Sequence, residues 1–183
     1  MPVQFATSEL LSYYDVTFAG ENLYEKTNRN TVSNSFIKKD FSNAKVSLSQ
    51  RHAIQDFTYC DNYLEEYCKQ SKDKGGAGGA GCERHEFSHL DCPLEEDNGV
   101  FVFLKFDDEE QSVIHVSAFN IPIRHTVYIP GGVIHTNDYL RGTWRTMLSN
   151  GGPPIDHVHL YRGSSKFNFA FRNRSITDSV TRL

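Results

Sequence analysis

From residue 84 onward the chain breaks into short apolar runs with no helical pattern between them, and this feature most narrows the folds open to it. The runs cover residues 84–91, 100–106, 112–121, 125–135, 143–149, 157–161 and 167–171. Each is rich in Val, Ile, Phe, Tyr or Thr, and Pro, Gly, Asn or Asp turns separate them. β-branched and aromatic side chains suit a pleated, half-buried surface. Parallel strands need long crossover connections, usually helices, and none is visible here. The pattern therefore predicts an antiparallel sandwich or barrel.

The first 74 residues read differently, as an irregular and partly helical support region. A short helix is expected over residues 8–14, with Thr7 or Ser8 as its cap. A longer helix is expected over 52–70. There Ile54, Phe57, Cys60, Leu64, Tyr67 and Cys68 recur at three- and four-residue steps and share one helical face. Residues 75–81, GGAGGAG, read as a mobile loop that can close over a site in the strand that follows. They contain a formal G-x-G-x-x-G, but a charged helix end precedes it where a strand is needed, which argues against a dinucleotide site. At 183 residues the whole is expected to form one domain, with residues 82–183 as a β-barrel core.

Composition removes several classes of function. Net charge is -4, so a diffuse polyanion-binding surface is not expected, and nucleic acid is an unlikely partner. No apolar run reaches the roughly 18 residues of a membrane span. The N-terminus has neither the basic nor the apolar region of a secretory signal. The expectation is a soluble, cytoplasmic protein with reduced cysteines, acting on a small-molecule or peptide substrate.

Seven histidines crowd the β half: His85, His89, His115, His125, His135, His157 and His159. In an extended strand, His89 and Asp91 point to the same face. An imidazole and a carboxylate there can converge on one metal. A further histidine would complete the two-His, one-carboxylate face that leaves positions open on Fe(II). His135 is the best candidate, at the end of a strand after Pro130-Gly131-Gly132. Arg145 stands ten residues further, on the next expected strand. Its planar, permanently charged fork suits a carboxylate held by two bonds. Arg141 is the alternative if the intervening turn is short.

The set His89-x-Asp91, His135 and Arg145 resembles the active-site signature of the Fe(II)/2-oxoglutarate-dependent dioxygenases, across about residues 84–150. The resemblance implies a double-stranded β-helix, a squashed jelly-roll barrel related to cupins. It implies Fe(II) on His89, Asp91 and His135, with 2-oxoglutarate reaching Arg145 through its far carboxylate. The activity implied is oxidative, most often hydroxylation.

Three other readings use the same region. Cys82, His85, His89 and Cys92 offer four ligands for a structural zinc, although strand parity aims the cysteines and histidines at opposite faces. Pro130-Gly131 followed by His135 resembles part of a cupin motif, and His157-x-His159 offers further ligands, although the order is reversed from that of cupins. Lastly, the chain can be read as a β-sandwich binding module with incidental histidines.

Overall fold

Short strands distributed over two larger sheets build the protein. The computed structural model describes residues 1–19, 52–59, 82–107, 113–149, 156–158, 161–162 and 165–166. The elements are β1 (Val3–Phe5), α1 (Ser8–Ser12), β2 (Thr17–Ala19), β3 (His52–Tyr59), β4 (Cys82–Arg84), β5 (His89–Pro93) and β6 (Phe101–Phe106). They continue with β7 (Ile114–Asn120), β8 (Thr126–Ile129), β9 (Ile134–Thr136), β10 (Gly142–Ser149), β11 (Asp156–Val158), β12 (Tyr161–Arg162) and β13 (Ser165–Lys166). The fold is mainly β, as the strand pattern predicts.

One sheet runs β1-β7-β6-β9-β4-β11 and the other β2-β8-β5-β10-β3, with β12-β13 as a separate pair. The pairings are antiparallel except β1 with β7. The core lies between the two larger sheets. Phe101, Phe103 and Phe119 enter it from one side, and Val127, Ile129 and Trp144 from the other. Phe101 and Phe103 of β6 face this core, while Val102 and Leu104 join a second apolar cluster with Cys82, Ala118 and Ile134. Both faces of β6 are thus covered over residues 101–104, which explains why this part of its sequence is continuously apolar rather than alternating.

The first helix forms where expected. The Thr7 hydroxyl accepts a hydrogen bond from the Leu10 amide, and Leu11 anchors the helix in the core. The second expected helix is overturned over residues 52–59, which form β3. All eight residues of β3 pair with β10, from Gly142↔Tyr59 to Ser149↔His52. The last four residues of β3, Asp56 to Tyr59, also satisfy a period of two. Tyr59 packs against the core, while Asp56 and Thr58 are exposed on the other face. The edge of β10 supplied the partner, and that tertiary contact overrode the local helical spacing. Residues 60–70, the glycine-rich stretch 75–81 and the expected strand 167–171 lie outside the described residues.

Two expected strands are each broken in the middle. Residues 84–91 divide into β4 and β5, and 125–135 into β8 and β9. In both cases the break is a passage from one sheet to the other. Pro130 lacks an amide hydrogen, and Gly132 takes a positive φ of 90°, so the second run cannot continue as one ladder. The two passages touch. The Gly132 amide donates to the His85 carbonyl at 2.8 Å. A side chain at Gly131 would stand 2.0 Å from the Glu86 carbonyl oxygen, so only glycine permits this approach. Among the described residues, no helix is long and apolar enough to cross a membrane.

Candidate metal centre

His85, His89 and His135 converge where the two passages meet, with one nitrogen from each ring within 4.8 Å of the others. His89 opens β5 and His135 lies in β9, on opposite sheets. His85 sits in the passage between β4 and β5. Ring centroids are 4.8 Å apart for His89 and His135, 5.0 Å for His85 and His89, and 5.1 Å for His85 and His135. All three histidines are buried.

The rings are oriented from behind. Nδ1 of His85 lies 2.7 Å from the Phe87 carbonyl oxygen, and Nδ1 of His135 lies 3.0 Å from that of Val133. Nδ1 of His89 lies 2.6 Å from Oδ2 of Asp91, a short contact that is not aligned as a directional hydrogen bond. A carbonyl oxygen only accepts, so Nδ1 carries the hydrogen in the first two rings. The lone pair is then left on Nε2. Outer contacts of this kind fix the tautomer of metal-binding histidines. Nε2 of His89 and Nε2 of His135 are both buried without a hydrogen-bond partner. Leaving such a group unsatisfied costs roughly 1–3 kcal/mol. Two such atoms at one point fit a positive ion, which would satisfy both.

Glu83 completes the cluster. It stands directly opposite His135 in the register of β4 and β9, with Oε1 3.3 Å from His135 Nε2. That separation is within ion-pair range, but the geometry is not that of a hydrogen bond. Asn137 Nδ2 donates to the same Oε1 at 3.2 Å. Burial alone would raise the Glu83 carboxyl, but its contact with His135 and the neighbouring His85 and His89 outweigh that and hold it below its usual range. Burial, then the charges of His89 and His135, press His85 down to about 4. A neutral imidazole is the form that binds metal.

Of the residues singled out in sequence, His89 and His135 come together, joined by His85, which the zinc reading named. Asp91 lies beside His89, on its Nδ1, and is not one of the three clustered ligand groups. The Thr146 hydroxyl donates to Asp91 Oδ1 at 2.6 Å. Arg145 precedes Thr146 on β10 and so points to the other face of that sheet. There its fork meets Asp56, with Nε to Oδ1 at 2.9 Å and Nη2 to Oδ2 at 3.0 Å. Arg141 is half exposed, 3.9 Å from Asp97. Cys82 belongs to the second apolar cluster, with its thiol pushed up to about 12 mainly by burial. Burial also lifts the Cys92 thiol, to about 11. Neither cysteine joins the histidines of the proposed zinc set.

His115 and His125 lie elsewhere. His115 is half-buried, 3.9 Å from Asp107, and His125 stacks on Phe18 with ring centroids 5.4 Å apart. His157 stands in β11, paired in register with Glu83, and His159 lies outside the described residues. Glu83, Asn137 and Thr146 are not singled out by the sequence pattern. Glu83 alone has a signal there, the spacing Glu83-x-His85-x3-His89 ahead of Pro130-Gly131-Gly132-x-x-His135. Comparison with known proteins finds no matching family model and no matching curated protein.

Proposed function

We propose that this chain is a metal-dependent enzyme whose centre is one divalent first-row ion held by Nε2 of His85, His89 and His135. The observation that carries the reading is the convergence of three buried imidazoles, two of them with unsatisfied Nε2 atoms. Imidazole suits Zn, Fe, Cu and Ni, and three protein ligands leave coordination positions for water or substrate. Three neutral ligands also leave the ion its full charge. When bound, it would supply Lewis-acid or redox chemistry. Glu83 is placed to act as a fourth ligand or as a base beside the ion, with Asn137 holding its carboxylate. From β4 to β11 every step but β6 to β7 crosses between the two larger sheets, which supports the finer fold reading of a double-stranded β-helix.

A second reading, the Fe(II)- and 2-oxoglutarate-dependent oxygenase, draws support from His89, Asp91 and His135 lying at one buried centre. It requires Asp91 to leave His89 and Thr146. It also requires a carboxylate anchor inside the sheets, where Arg145 does not point.

The test is elemental analysis of the purified chain, with titration of Zn(II), Fe(II) and 2-oxoglutarate under anaerobic conditions. One equivalent of metal, lost in His85→Ala, His89→Ala and His135→Ala, supports the three-histidine centre. Metal binding that survives His85→Ala but fails in Asp91→Ala, with uptake of 2-oxoglutarate, supports the oxygenase.

A further inference from the structure

The three histidines of the cluster are not equivalent. Backbone carbonyls back His85 and His135, whereas a carboxylate backs His89. That carboxylate is itself held, because the Thr146 hydroxyl donates to its other oxygen at 2.6 Å. Asp91 and Thr146 are direct cross-strand partners in β5 and β10, and both are buried. Asp91 and the orphaned Nε2 stand at opposite ends of one imidazole ring.

We propose that Thr146 and Asp91 form a positioning relay that orients His89 and strengthens its Nε2 as a metal ligand, with Asp91 outside the coordination sphere. The inference rests on the three-histidine centre proposed above. A carboxylate 2.6 Å from Nδ1 favours the ring hydrogen on that nitrogen through its charge, without an aligned hydrogen bond. It also pushes electron density toward Nε2, more than a neutral carbonyl does. Thr146 orients the carboxylate by occupying Oδ1, so that Oδ2 faces the ring. His89 is thus the one ligand of the three with a carboxylate behind it, and the strand pairing of β5 and β10 is built into the metal site.

Co(II) is the probe, titrated into the full-length chain. Binding is followed by ligand-field absorbance and by the paramagnetically shifted ring N–H protons. Asp91→Asn keeps the shape and removes the charge. It is expected to weaken Co(II) binding about 10- to 100-fold while the absorbance keeps the pattern of an unchanged ligand set. Thr146→Val is expected to weaken binding less, and Thr146→Ser to restore it. In Asp91→Asn and Thr146→Val one shifted N–H resonance, that of His89, should move while the other two stay. A purely structural role for Asp91 would not single out one ring.

Unchanged affinity and unchanged N–H shifts in Asp91→Asn would overturn the relay. So would an absorbance change showing one ligand fewer, since Asp91 would then be a ligand. The His85→Ala variant tests the centre separately. If it binds Co(II) like the parent, the three-histidine centre fails whatever the Asp91 variants do.

Discussion

Gly131→Ala tests whether the contact between the two sheet-crossing passages sets the metal centre. The new Cβ would meet the Glu86 carbonyl oxygen at 2.0 Å and the Glu86 carbonyl carbon at 2.6 Å. Comfortable contacts between carbon atoms lie near 3.5–4.0 Å, so the passages must part by more than about 1 Å. Both sides of the contact are backbone, and no side chain can swing away. Overpacking a tight site costs about 1–3 kcal/mol, and this rigid contact belongs at the upper end, about 3 kcal/mol. For a chain of this size each kcal/mol lowers Tm by about 2–4 °C, so the expected fall is about 6–12 °C.

Glu86 follows His85 directly, so the displacement carries a ligand with it. Metal affinity should fall about tenfold or more, as it does when support behind a ligand is lost. Gly132→Ala is the control. Its Cβ would meet nothing within 4 Å, and only the positive φ of 90° resists it. That resistance costs about 1–2 kcal/mol and should leave Co(II) affinity near the parent value. Thermal unfolding of the metal-free proteins and Co(II) titration read the two effects. A Gly131→Ala protein destabilised by less than about 1 kcal/mol, or one with parental Co(II) affinity, would refute the reasoning.

Asn98 is buried and donates to the Ile121 carbonyl at 2.9 Å and to the Glu95 carbonyl at 3.1 Å. Asn98→Ala strips both acceptors and should cost about 1–3 kcal/mol, seen as a lower urea midpoint at unchanged slope. The Arg145 fork holds the Asp56 carboxyl below its usual range against a smaller opposing effect of burial. A depressed carboxyl stabilises the fold above its unfolded value and loses that contribution as pH falls through its folded value. Asp56 is largely solvated, so Asp56→Asn should cost no more than about 1 kcal/mol at neutral pH, and urea titrations should show the gap closing in acid. Zn(II) at a hundred times its Kd should add about 2.7 kcal/mol to stability, removed by chelator and absent in His85→Ala. His85, held down to about 4 by burial and then by His89 and His135, takes up a proton more readily when unfolded. Metal-free stability should therefore decline as pH falls from 6.5 toward 4, with a shallower slope in His85→Ala.

Local pattern alone determined the β character of residues 84–107 and 113–149, because strand runs bounded by Pro, Gly, Asn and Asp carry their period and their turn chemistry within a few residues. It determined α1 for the same reason, since Thr7 caps Leu10 only three residues on. The shared face of His89 and Asp91 also followed from period two. What the pattern left open was partner choice. Residues 52–59 fit both a helix and a strand, and only the edge of β10 selected the strand. Parity within β10 sets Arg145 against Thr146, but only the pairing with β5 puts Thr146 on Asp91, while that with β3 puts Arg145 on Asp56. Likewise, 84–91 and 125–135 read as single strands. The tertiary structure breaks each one to change sheets, and those two breaks bring His85 and Glu83 to His135. A ligand set assembled across such passages is encoded in sheet order and register, which no short window of sequence contains.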